Sequence, residues 1–208
     1  SNQNALLIDS TGRSYAVAAH TLPSARGQGE PASGRINPPS GAVFTGLLMG
    51  QDEQRVLIAS DAGYGFIAKL GDLYTKNKAG KALLSLPKGA KVLEPSLIGL
   101  QAQSDEINVV VISNEGRMLL FPLAELPELA RGKGNKMLSI APARVQAREE
   151  FVIAAGLISG KQTLTVYSGK RHASFKLSEL DHYRGERGRR GHKLPRGFQK
   201  VDGISIDI

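Results

Sequence analysis

The sequence holds no cysteine. That excludes a disulfide framework and any mechanism that needs a thiol or a thiolate ligand. It holds no tryptophan, and aromatic residues make up only 5% of it, too few for a platform that stacks the bases of single-stranded nucleic acid. No apolar run approaches the length of a membrane-spanning helix, so no membrane partner is expected. The four histidines, His20, His172, His182 and His192, do not stand at metal-ligand spacing from one another, and no metal site is expected. A G-x-S-x-G elbow is absent. Gly80-Lys81 lacks the earlier glycine and the hydroxyl residue of a Walker A loop. With no cluster of carboxylates or histidines to form a central-channel active site, neither catalysis nor a cofactor is expected of these residues. Tyr15, Tyr64, Tyr74, Tyr167 and Tyr183 read as packing residues of strands and loops.

What is present is positive charge. Lys and Arg total 27, Asp and Glu 19, for a net charge of +8 over 208 residues. Such a balance favours a polyanionic partner. The charge peaks in Arg184 to Lys200, RGERGRRGHKLPRGFQK, where Gly185, Gly188, Gly191 and Gly197 interrupt it. Glycine at that density opposes a helix. A basic glycine loop presents backbone N–H groups and guanidinium forks together, which suits phosphate.

This loop is the strongest copy of a repeated one. Short apolar runs at Ala5–Ile8, Val56–Ala59, Val109–Ile112 and Leu164–Tyr167 each lead into a glycine turn, and a second strand follows each. The turn glycines stand at 12, 63, 116 and 169, so a unit of about 50 residues recurs four times. After each second strand comes a leucine step, at Leu22-Pro23, Leu70–Leu73, Leu123–Leu126 and Leu177–Leu180. Basic glycine loops follow at Arg26–Gly29, Lys76–Lys81, Arg131–Lys136 and Arg187–Lys193. A third short strand, a proline turn and a longer apolar strand close each unit: Ala42–Met49, Ala90–Leu100, Phe151–Ile158 and Phe198–Ile206. The third unit carries an insertion, Ala143–Glu150, expected to be a loop or a short helical turn. Four strands per unit predict an all-β fold, a propeller-like ring of four-stranded blades in one domain over 1–208, with units at roughly 5–50, 56–100, 107–158 and 163–208.

Several stretches carry a family resemblance: Asp9–Tyr15 (DSTGRSY), Leu22–Pro31 (LPSARGQGEP), Ala59–Phe66 (ASDAGYGF), Arg131–Lys136 (RGKGNK) and Gly185–Gly191 (GERGRRG). In these the chain resembles the C-terminal domain of the A subunits of type IIA topoisomerases, and the topoisomerase IV branch more than the gyrase branch. The resemblance covers essentially the whole chain. It implies a β-pinwheel that binds and bends duplex DNA on a basic rim. It implies no catalytic role for these residues, since the family's DNA-cleaving tyrosine lies in another domain. The glycine-rich box QRRGGKG, used by gyrase to wrap DNA, has no full match; Arg187–Gly191 is nearest. The family's ring usually has five or six blades against the four units counted, so a further blade is expected outside the chain, which begins Ser1-Asn2 and is expected to be a fragment of a longer protein; the last strand, Val201–Ile208, either pairs with the N-terminal region to close the ring or leaves it open or incomplete.

The implied partners are the phosphate backbone of duplex DNA, the remainder of the A subunit, the B subunit of topoisomerase IV and a chromosome-organising protein, in the bacterial cytoplasm at the nucleoid. An alternative on charge alone is a protein-interaction propeller that binds an acidic partner. The candidate phosphate contacts are Arg26, then Lys76, Lys78 and Lys81, then Arg131, Lys133 and Lys136, then Arg184, Arg187, Arg189, Arg190, Lys193 and Arg196. Arg117, Lys170 and Arg171, beside the turn glycines, complete the set.

Overall fold

In the computed structural model, residues 4–18, 36, 38–99 and 106–208 are described. Each glycine turn joins two antiparallel strands, and a third strand adds to the far side of the first. Blade 1 takes β1 (Asn4–Asp9), β2 (Arg13–Ala18) and β3 (Phe44–Met49). Blade 2 takes β4 (Arg55–Ala59), β5 (Tyr64–Lys69) and β7 (Ser96–Leu97). Blade 3 takes β8 (Asn108–Ser113), β9 (Arg117–Pro122) and β11 (Val152–Ile158). Blade 4 takes β12 (Thr163–Ser168), β13 (Arg171–Lys176) and β15 (Gly203–Asp207). The leucine steps become short turns of helix: α1 (Leu70–Leu73) and two 3-10 segments, Leu123–Glu125 and Leu177–Tyr183. The first unit's leucine step, its basic loop with Arg26 and its third strand lie outside the described residues.

The fourth strand of blades 1, 2 and 3 is borrowed. β6 (Lys81–Ala82) pairs with β2, β10 (Asn135–Lys136) with β5, and β14 (His192–Lys193) with β9. The third short strand therefore leaves its own unit and completes the blade before it, which corrects the unit-by-unit pairing expected from the repeat. A two-residue strand carries no face pattern, and ladder partners are chosen by tertiary geometry. Among the described residues blade 4 has three strands. Two closing strands are also shorter than expected. Near residues 90–100 only a Ser60–Val92 bridge and β7 form. Pro95, which has no N–H to give, stands between them.

The core lies between blades. Leu6 and Ile8 of blade 1 meet Val56, Ile58 and Phe66 of blade 2. Leu57 and Ile67 meet Val109, Val111 and Phe121. Val110, Ile112 and Leu120 meet Leu164, Val166 and Leu180. Successive residues of a strand face opposite sides, so β8 buries Val109 and Val111 against blade 2 and Val110 and Ile112 against blade 4. Each such side chain stabilises the fold by roughly 1.5–3 kcal/mol.

Adjacent blades are also clasped through the turn glycines. Gly12 O accepts from Leu83 N and Leu84 N at 3.1 and 2.8 Å, Gly63 O from Met137 N and Leu138 N at 2.6 and 3.3 Å, and Gly116 O from Leu194 N at 2.9 Å. These glycines have φ of 87°, 96° and 82°, a region L side chains avoid. A Cβ would also collide with the carbonyl oxygens of Leu84, Leu138 and Phe198. The insertion forms α2 (Pro142–Gln146), the short helical turn expected there.

Candidate nucleic-acid interface

Because each third strand crosses to the preceding blade, it carries its basic loop to the junction between blades. There each loop hydrogen-bonds to the residues that directly follow the loop of the preceding unit. Gly132 N donates to Leu83 O and Ser85 N to Gly132 O, both at 3.0 Å. Gly188 N donates to Met137 O at 2.9 Å and Ser139 N to Arg189 O at 3.0 Å. The loops of units 2, 3 and 4 therefore lie side by side, in chain order, along one edge.

In blades 1, 2 and 3 the residue after the turn glycine reaches this edge. Arg13 donates through Nε to Ala79 O and through Nη2 to Gly80 O, at 2.8 and 2.9 Å. Arg117 donates to Gly191 O at 3.4 Å. In blade 2 the position is Tyr64, and the ammonium of Lys133 sits over its ring, 4.4 Å from the centroid. Tyr64 is thus more than the packing residue expected from sequence. Asp9 caps the first turn. It accepts from Thr11 N at 2.9 Å, Arg13 N at 3.1 Å and the Tyr15 hydroxyl at 2.6 Å. Burial, reinforced by the Asp9 hydrogen bond, pushes the Tyr15 hydroxyl pKa well up.

The candidate cations divide into two groups. Some hold the edge together. Arg187 donates to Lys136 O at 2.6 Å, Lys81 to Asp72 O at 2.6 Å, and Arg184 to Asn108 Oδ1 at 2.9 Å. Arg190 donates to Ser139 O at 2.7 Å and forks onto both oxygens of Glu150 at 2.9 and 3.1 Å. Glu150 is 1% exposed and also accepts from Ser113 Oγ at 2.9 Å and Arg144 at 3.0 Å. Arg189 forms an exposed ion pair with Glu186 at 3.0 Å. Others are exposed, with no ion pair among the described residues: Lys76 and Lys78, Arg131 and Lys136, Lys193 and Arg196, and Lys170 and Arg171 in the blade 4 hairpin. Arg26 lies outside the described residues.

Two features escaped the sequence reading. The first is the clamp built by the insertion. Arg148, the one non-glycine residue with positive φ among those described (56°), donates to both oxygens of Asp61 at 3.2 and 2.7 Å and to Gly89 O at 3.0 Å. Arg144 pairs with Glu115, and that hydrogen bond lowers the Glu115 pKa from its ordinary value. Nothing local marked these pairs except an unusual density of charge in ARVQAREE. The second is the approach of the His182 and His192 rings, 4.9 Å apart between centroids. No group of three or more metal-ligating side chains forms among the described residues.

The fold defines a propeller-like β domain with strand-exchanged blades. A family model described as the DNA gyrase C-terminal domain, a beta-propeller, matches residues 54–96 and 108–159. The DNA topoisomerase 4 A subunit of Pseudomonas aeruginosa is 52% identical over the whole chain, and that of Haemophilus influenzae is 52% identical over 95% of it. The solved structure of the E. coli ParC C-terminal domain superposes with a TM-score of 0.90 at 44% identity, over 100% of this chain and 82% of that one. The chain belongs to the family of C-terminal domains of the topoisomerase IV A subunit. It spans 27% of the length of the Pseudomonas relative and 26% of the Haemophilus one.

Proposed function

We propose that the chain is a non-catalytic domain that binds and bends duplex DNA along the edge formed by its basic loops. In the intact topoisomerase IV, an ATP-dependent type IIA enzyme, it would present a duplex segment to the rest of the A subunit, and to the B subunit. It would thereby help select topologies for decatenation and supercoil relaxation at the nucleoid, where a chromosome-organising protein is a further proposed partner. The observation that carries this reading is the continuity of the edge: the loops of units 3 and 4 each hydrogen-bond to the residues that follow the loop of the preceding unit, and all three loops carry exposed cations. Phosphate contacts position a duplex without reading its sequence, and short loops between strands have no helix to enter a major groove.

The logarithm of the binding constant is expected to fall linearly with the logarithm of salt concentration, with a slope of about −0.9 per neutralised phosphate. It is expected to be nearly equal for unrelated sequences and tighter for bent or supercoiled DNA than for linear DNA. Gel-shift titrations across salt, on linear, pre-bent and supercoiled DNA, test this. A shallow salt slope, or no displacement from an acidic protein by competing DNA, would contradict it.

A further inference from the structure

The insertion of unit 3 does more than clamp two blades. Arg148, held by Asp61 and Gly89 O, sets α2 against the turn Pro87–Gly89 of unit 2. The fit is close: a Cβ on Gly89 would come within 2.8 Å of Gln146 Cα. Between α2, that turn and Tyr64 of β5 a concavity of about 310 Å³ stays open, at the lower end of the range for small-ligand pockets.

Its chemistry is two-sided. The floor is apolar, with Leu86, Ile140 and Val145. The wall carries three lysines, Lys88, Lys133 and Lys136, and no carboxylate. Lys133 is steered by the Tyr64 ring beneath its ammonium, so one cation is held at the pocket wall rather than left to roam in solvent. An apolar floor under a ring of cations complements a ligand with an apolar body and an anionic head. Duplex DNA supplies the anion but has no apolar group that could fill a concavity below its phosphates.

We propose that this pocket binds a small amphipathic anion, an aromatic or short-acyl carboxylate with its body on the Ile140–Val145 floor and its head among Lys88, Lys133 and Lys136. The last two lysines also belong to the basic edge, so an occupied pocket withdraws them from phosphate. That consequence rests on the duplex reading above, whereas ligand binding itself does not.

The test is a titration of the isotopically labelled 208-residue chain with 2-naphthoate, followed by backbone amide shifts. The shifts are expected to centre on Ala62, Tyr64, Ser85, Lys133 and Gln146. The neutral isostere 2-naphthamide is expected to bind roughly tenfold more weakly, as is naphthoate to Lys133→Met, which keeps the aliphatic stem but loses the charge-assisted contact. Ser85→Trp, which plugs the mouth, is expected to abolish the shifts. Equal binding of naphthoate and naphthamide by the unaltered chain would overturn the proposal. So would shifts centred on the exposed apolar residues Phe44, Leu47 and Met49 of β3. If naphthoate binds in the pocket while duplex affinity in its presence is unchanged, the coupling to DNA is overturned and the pocket stands. If naphthoate binds and no duplex binding occurs at any salt, the duplex reading fails by itself.

Discussion

Blades 3 and 4 come from successive copies of one unit, yet they read differently. In blade 3 all six residues of β8 are buried, and its four-residue apolar run VVVI packs on both faces. In blade 4 the matching strand β12 buries Leu164 and Val166 and leaves Thr163, Thr165 and Tyr167 partly or largely exposed. The turn glycine of blade 3 is clasped by Leu194 N. That of blade 4, at φ 59°, has open space where a Cβ would stand. A blade with neighbours on both sides needs apolar residues on both faces, while a blade packed on one side needs them at alternate positions. The same topology is thus written in two patterns, and position in the ring decides which.

The comparison can be broken most sharply by a charge. Val111→Asp buries an unpaired carboxylate between blades 2 and 3, and a loss of about 4 kcal/mol or failure to fold is expected. Thr165→Asp, on the face of β12 turned away from blade 3, is expected to cost under about 1 kcal/mol. Urea denaturation of the two variants measures the difference, and similar losses would show that blade 4 is as enclosed as blade 3.

The turn glycines sharpen it next. Gly116→Ala meets both an unfavourable φ and the Phe198 carbonyl, with an expected cost of about 2–4 kcal/mol. Gly169→Ala meets the φ alone, for about 1 kcal/mol. Thermal melts of the pair would expose an error in the clasp if Gly169→Ala proved the worse.

DNA binding offers a third comparison, within the edge. Arg131→Gln with Lys136→Gln removes two exposed cations, and the salt slope on duplex DNA is expected to fall by about 0.9 for each. Arg190→Gln is expected to leave the slope nearly unchanged and to lower stability instead, because that guanidinium is committed to Glu150 and Ser139 O. A full unit lost from the slope in Arg190→Gln would show that Arg190 leaves Glu150 for phosphate.

The smallest expected effect is a pH dependence. Arg144 donates to Glu115 and holds its pKa below the ordinary 4.5. A carboxyl depressed in the folded state adds stability above its unfolded pKa and loses it as pH falls through the folded one. The melting-temperature gap between the unaltered chain and Glu115→Gln is therefore expected at neutral pH and to shrink in acid below 4.5. A gap independent of pH would rule out the ion pair as its source.

The hairpins were legible from residues because their signals are local. Turn glycines, flanking apolar runs and leucine steps recur in register, and each reports on neighbours a few positions away. The exchange of β6, β10 and β14 was not, since a two-residue strand says nothing of whom it pairs with. The basic loops were legible as charge but not as roles. Arg187 and Arg189 look alike in GERGRRG, yet the first is bound to Lys136 O and the second reaches only its neighbour Glu186. Arg190 finds Glu150 forty positions back along the chain, a distance at which no periodicity speaks.

The borrowed strands bear on the order in which the molecule can be made. A ribosome delivers the chain from its amino end, so blade 1 cannot be finished until Lys81 and Ala82 have emerged, blade 2 until Asn135 and Lys136, and blade 3 until His192 and Lys193. Each sheet therefore spends part of synthesis with a bare edge, waiting on the following unit. Its completion is a nascent-chain event timed by translation of the next repeat rather than of its own.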